Sequence, residues 1–207
     1  MKSDYIKLSV YNRIFNYMQY ENALCLRLCL ETGLRVGDAL KVKVEDIDGR
    51  TISYVAEKTG KSGKKVITQK LANDLKRLAG GSGYCFKGRF DDCKHRTRQA
   101  VWNDVKKAAK LAGIPANVSP HSTRKTYAVG LYHDKGIIAT EQELQHDRLD
   151  TTLLYAFSDM LSGNSGNNDV EKNNLNDTQI LFDTVYSACI KALKDFCCKS
   201  DFTFSSL

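Results

Sequence analysis

Ser119-Pro120-His121-Ser122-Thr123-Arg124-Lys125 opens a helix and places chemistry in its first turn. Serine is a good N-cap, because its hydroxyl accepts from the free N–H groups of the first turn, and proline is well tolerated at the first helical position. His121 and Arg124, three residues apart, therefore lie on one helical face. On the N-terminal side, Gly113 and Pro115 close an amphipathic stretch from Arg96 to Ala112, with Val101, Val105, Ala108 and Ala109 along one face. Further out, apolar residues recur at helical spacing from about Leu8 to Glu31 and stop at Thr32-Gly33. Short helical pieces cover Asp38 to Lys41 and Lys70 to Leu78, the second ending in a flexible Gly80 to Gly83 loop. Only Thr51 to Ala56 and Lys65 to Thr68 read as strands, with Gly60 and Gly63 between them, which makes a β-hairpin. Helical runs return around Thr140 to Gln145 and Thr151 to Phe157. The pattern predicts a mainly helical α+β domain with one small antiparallel sheet.

The chain has 207 residues, enough for one sizeable core, and its 31 Lys and Arg outnumber 24 Asp and Glu for a formal net charge of +7. That balance favours an acidic partner. From Lys87 to Lys110, eight basic residues stand against Asp91, Asp92 and Asp104, the distribution expected of a phosphate-tracking surface or of a solvated helix face. No apolar run reaches membrane-spanning length, and the polar start lacks a signal-peptide core, so a cytoplasmic protein without membrane contact is expected. The seven cysteines show no paired CxxC spacing and read as reduced thiols. Cys85, Cys93 and His95 have no clear fourth ligand nearby, and no metal is expected there. Between Ser162 and Asp177 the composition turns to Asn, Gly and Ser, a linker. Beyond it Phe182, Val185, Tyr186, Cys189, Leu193 and Phe196 mark an amphipathic C-terminal helix.

Four segments together resemble the signature of the tyrosine recombinase and phage integrase family. The first is Thr32-Gly33-Leu34-Arg35-Val36-Gly37-Asp38-Ala39-Leu40, similar to the family's TGxR turn with an acidic residue three positions on. Glu57-Lys58-Thr59-Gly60-Lys61 lies in the hairpin where the family keeps a catalytic lysine; Lys58 is the choice, with Lys61, Lys64 and Lys65 as competitors. The third is the HxxR box of residues 119–125, with Thr123 in place of the usual leucine. The fourth runs from Leu144-Gln145-His146-Asp147 through Thr151-Thr152 to Tyr155, with the family's nine-residue step from histidine to tyrosine and Gln145 where glycine is usual. The resemblance spans about Leu24 to Phe157, in the family's order. Taken singly each residue has an ordinary structural reading; the ordered set is what identifies the family.

The resemblance implies the catalytic-core fold of the DNA breaking-rejoining enzymes and site-specific cutting and rejoining of double-stranded DNA through a phosphotyrosine. It implies Arg35, Lys58, His121, Arg124, His146 and Tyr155 as catalytic residues, with Asp38 in support. The chemistry makes sense of these types. An attacked phosphodiester gathers charge on its non-bridging oxygens, which guanidinium forks and imidazole donors hold well. Tyrosine, with an ordinary pKa near 10, needs a base, implied to be His121, and the leaving oxygen needs a proton, implied to come from Lys58. Cationic side chains replace divalent ions, so no metal and no cofactor are expected. The family also implies a homotetramer on a DNA synapse, and admits accessory DNA-bending proteins. Residues 1–160 are assigned to the catalytic domain, 161–177 to the linker, and 178–207 to a C-terminal helix and tail that docks on a neighbouring protomer or on its own domain. Family members usually carry a separate N-terminal helical domain, and only about twenty residues precede the first catalytic helix here, as expected of a fragment or of a minimal enzyme. Two other activities fit parts of the pattern: a type IB topoisomerase and a non-catalytic DNA-binding regulator.

Overall fold

The computed structural model describes residues 3–144. Six helices and one small sheet are described: α1 (Leu8–Phe15), α2 (Tyr20–Thr32), α3 (Val36–Leu40), a 3₁₀ turn (Val44–Asp46), β1 (Ile47–Asp48), β2 (Thr51–Val55), β3 (Ser62–Val66), α4 (Gln69–Ala79), α5 (Arg98–Leu111) and α6 (Pro120–Leu144). The sheet is antiparallel in the order β1-β2-β3, with Ile52 facing Lys65 and Tyr54 facing Gly63. A mainly helical α+β domain with a small antiparallel sheet is thus what the described residues form. The described helices include none long and apolar enough to cross a membrane.

α2 is the central element. Leu24, Cys25, Leu26, Leu28 and Cys29 are all buried, because apolar residues occupy more than one face of the helix. It packs against α3, α4, α5 and α6. Leu71, Ala72 and Leu75 of α4 and Val101, Val105 and Ala108 of α5 complete the same core with Phe86 and Val118. Thr68 caps α4 by accepting from the Leu71 N–H at 3.3 Å, and Thr97 caps α5 by accepting from the Ala100 N–H at 3.2 Å. Such caps contribute about 1 kcal/mol each.

The helical run from Leu8 to Glu31 is split by a break after Phe15. Gln19 and Asn22, at the start of α2, both donate to Asp104 Oδ2, at 2.9 and 2.7 Å. The carboxylate that caps α2 thus comes from the middle of α5, which local spacing does not reveal. β1 is a two-residue strand held by β2 and was not expected. α6 is one long element broken at Gly136, whose φ of 76° and ψ of −179° are not helical; Thr140 Oγ1 donates to the Gly136 carbonyl just past the break. Its start matches the expected cap: His121 N–H donates to Ser119 Oγ at 3.2 Å and Ser119 N–H to Ser122 Oγ at 3.1 Å. The N-terminal segment is strapped to α6 by Lys125, which donates to the Ser3 carbonyl, and by Thr126, which donates to the Ile6 carbonyl at 2.6 Å. The helical run at Thr151 to Phe157, the linker and the C-terminal helix lie outside the described residues.

Candidate active site

The first box is built on a helix terminus. Thr32 ends α2, donating its hydroxyl to the Leu28 carbonyl at 2.6 Å and accepting from Leu34 N–H at 3.3 Å. Gly33 follows in the left-handed region, with φ 69°. That reversal turns the chain so that Arg35 caps the start of α3 in extended conformation, its side chain half-buried at the edge of a cleft. Asp38, one turn on, is buried, and its Oδ1 accepts from the Glu57 N–H at 2.9 Å. The acidic residue of the first box therefore pins the backbone beside Lys58. Glu57 in turn pairs with Lys41 at 3.3 Å.

Lys58 sits in a tight turn closed by the Gly60 N–H to Ala56 carbonyl bond at 2.8 Å and the Ala56 N–H to Lys61 carbonyl bond at 2.8 Å. Its side chain is exposed and lines the cleft. Of its competitors, Lys65 is committed elsewhere: it is buried on the inward face of β3 and donates to Glu143. Lys64 lines a different concavity, of about 580 Å³, on the far side of the hairpin with Lys41, Asp46 and Val55. Among the described residues, that larger hollow shares Asp38 with the cleft and holds none of the expected catalytic residues, so size is not the guide to the chemistry here.

Arg124 is buried. Its two Nη atoms donate to the carbonyls of Gly33 and Leu144, so one guanidinium joins the end of α2 to the end of α6. His121 is exposed at the cleft mouth. Its ring is held below the ordinary histidine range, first by the crowding of protein atoms on its inner side and then by the positive charges of Lys125, Arg124 and Arg35. A neutral imidazole at pH 7 follows.

These parts meet in one cleft of about 310 Å³, in which Arg35, Lys58, His121 and Arg124 stand together with Asp38. Four of the six expected residues, drawn from three of the four segments, are thus brought to one place; His146 and Tyr155 lie outside the described residues. The cleft also contains Arg98, the first residue of α5, which sequence reasoning placed in the basic run and not in the site. Its side chain crosses Gly37 so closely that a Cβ there would stand 3.2 Å from Arg98 Cδ. A third guanidinium at the cleft has no local signature, because α5 and α3 are sixty residues apart in sequence and meet only in the fold. Arrangements of this kind bind a tetrahedral oxyanion and place a proton acceptor and a cation beside it. Of the cysteines and histidine considered for a metal, Cys85 is buried in the core and Cys93 is exposed.

The fold is that of a phage integrase catalytic core, and the model of the phage integrase family matches residues 4–161. The chain belongs to that family. It is 28% identical over 153 residues to tyrosine recombinase XerD of Mycobacterium leprae, covering 65% of this chain and 47% of the relative. It is 31% identical over 141 residues to tyrosine recombinase XerA of Pyrococcus horikoshii, covering 64% of this chain and 48% of the relative. The chain thus matches about half the length of these relatives. Among solved structures, a lambda integrase dimer bound to a COC' core site superposes with a TM-score of 0.66 at 16% identity, over 84% of this chain and 52% of that one. The catalytic domain of bacteriophage HP1 integrase superposes with a TM-score of 0.58 at 19% identity, over 76% of this chain and 89% of that one. At these identities the likeness is one of fold.

Proposed function

We propose that this protein cuts and rejoins double-stranded DNA at specific sites through a phosphotyrosine intermediate, as a tyrosine recombinase working in a homotetramer on the DNA synapse. The observation that carries the reading is the convergence of Arg35, Lys58, His121 and Arg124 on one cleft from distant parts of the chain. In the proposed reaction Arg35, Arg124 and His146 hold the non-bridging oxygens of the scissile phosphate. The Tyr155 hydroxyl loses its proton to His121 and its oxygen bonds to phosphorus; the bond to the 5′-oxygen breaks, and Lys58 gives that oxygen a proton. The reverse steps with a new 5′-hydroxyl release the tyrosine and join the strands, with no other energy source. No residue in this scheme requires a metal or cofactor. The +7 charge and the family membership support DNA as the partner.

The test uses nicked suicide duplexes drawn from DNA flanking the gene, with adducts resolved on a denaturing gel. A covalent adduct that forms with the wild type and is lost in Tyr155→Phe is expected. A site bound specifically but never joined to protein would sink the catalytic reading in favour of a regulator, and relaxation of supercoiled plasmid without strand exchange would favour a topoisomerase.

The depressed His121 pKa adds a pH dependence. A base must be unprotonated to work, and a group whose pKa is lowered stays unprotonated further into acid. The acid limb of single-turnover adduct formation should therefore have its midpoint below about pH 6.5, the ordinary histidine value. An acid limb with its midpoint above that value would contradict the assigned base.

A further inference from the structure

Strand β3 turns one residue inward, and that residue is a lysine. Lys65 is buried opposite Ile52, where an apolar side chain would fill the space. Its ammonium donates to the Glu143 carboxylate and, at 3.3 Å, to the Glu143 main-chain carbonyl. It also lies 5.7 Å from the centre of the Tyr127 ring, and the Tyr127 hydroxyl donates to the same carboxylate at 3.4 Å. Lys65 and Glu143 line one small cavity with Arg35 and Arg124. One residue further on, Leu144 gives its carbonyl to Arg124. Two cations from two different elements thus hold the consecutive carbonyls of residues 143 and 144, and His146 follows two residues later in the sequence.

Lys65 is enclosed while Glu143 is about two-fifths exposed, so desolvation of the lysine offsets much of the attraction, and an apolar residue of similar volume at 65 would serve the packing as well. What such a pair supplies and an apolar contact does not is direction: hydrogen bonds fix a backbone oxygen at a set distance and angle. The Glu143 carboxyl is held below its usual range, chiefly by the Lys65 hydrogen bond, so it is ionised at neutral pH. Tyr54, Tyr127 and Lys135 face it as well as Lys65, and it shares the small cavity with Arg124.

We propose that Lys65 and Glu143 are positioning residues, which together with Arg124 set the point from which the chain delivers His146 and Tyr155 to the cleft; this rests on the recombinase reading for its catalytic consequence. The clamp itself does not depend on that reading. The decisive variant is the apolar double replacement Lys65→Met with Glu143→Leu, which removes the directional bonds without stranding a charge. Amide hydrogen exchange over peptides covering residues 143–156 should quicken at least tenfold. On a duplex that the wild type cleaves, the single-turnover rate of adduct formation should fall at least tenfold, with the melting temperature and duplex affinity kept. Lys65→Arg, which retains two directional bonds, should recover most of the rate. Unchanged exchange would overturn the clamp, and quickened exchange with an unchanged cleavage rate would overturn its positioning role. If the wild type forms no adduct with any duplex, the recombinase reading fails, and the exchange measurement alone decides whether the clamp exists.

Discussion

Replacing Arg124 by lysine should reduce the rate of adduct formation by about 10²–10³-fold, the usual cost of losing one preorganised oxyanion donor, while leaving duplex affinity within a few fold. The charge is kept, and non-specific affinity follows charge. What is lost is geometry. The guanidinium reaches two carbonyls at once, of Gly33 at the end of α2 and Leu144 at the end of α6. A lysine ammonium is a point charge on a flexible stem and does not reproduce a planar fork. At least one of the two carbonyls then loses its partner in a buried setting, at a cost of about 1–3 kcal/mol. For a domain of this size that lowers the melting temperature by roughly 2–10 °C. The same substitution loosens the end of α6, so the catalytic loss should lie toward the upper end of that range. Single-turnover cleavage of a suicide duplex and thermal unfolding check the two effects separately: a lysine variant cleaving within tenfold of the wild type would show that Arg124 is not a phosphate ligand, and an unchanged melting temperature would show that its two carbonyl bonds contribute no stability.

Much of this architecture is legible locally. Ser119-Pro120 announces a helix start, and Ser119 does accept from the His121 N–H. Thr32-Gly33 announces a helix end, and Gly33 does take the left-handed conformation that lets it close α2. Gly60, with φ 67°, turns the hairpin where the spacing of the two β-branched runs requires it. Other features depend on partners far away in sequence. α1 and α2 separate because Asp104, 82 residues beyond Asn22, provides the cap. β1 has two residues, too few to show a period. Gly136 interrupts α6 by its own backbone conformation in an otherwise helical pattern, and Thr140 recovers the carbonyl left exposed by the break.

The cleft divides in the same way. His121 and Arg124 stand in one turn, so their pairing is visible in seven letters. Lys58, Lys61, Lys64 and Lys65 are indistinguishable by composition, and strand register separates Lys64 from Lys65: pleating sends Lys65 inward to Glu143 and leaves Lys64 in the hollow on the other side of the hairpin. Asp38 is marked by its place after Arg35, yet its bond to the Glu57 N–H, which ties the first box to the lysine turn, exists only once β2 has folded against α3. Arg98 has no marker at all. It reaches the cleft because Gly37 offers no side chain in its path.

Gly33→Ala should destabilise the protein by about 2–5 kcal/mol, through two separable costs. An L-residue at φ 69° carries a left-handed penalty of about 1–2 kcal/mol. The new methyl would also stand 2.3 Å from Tyr127 Cδ1 and 2.6 Å from Tyr127 Cε1, so the ring must move, and overpacking of this kind costs about 1–3 kcal/mol. Tyr127 leaves only at the expense of its neighbours, since its hydroxyl bonds Glu143 and its ring lies under Lys65. The Gly33 carbonyl is also an acceptor for Arg124, so displacement of this one residue disturbs both cationic ties to the end of α6. A double-mutant cycle with Tyr127→Ala separates the costs. With the ring gone the steric share vanishes and the backbone share remains, so the double variant should be more stable than the sum of the two single losses, by roughly the overpacking cost of 1–3 kcal/mol. Strict additivity in chemical denaturation would mean that the ring yields freely and that the glycine is required for its backbone conformation alone.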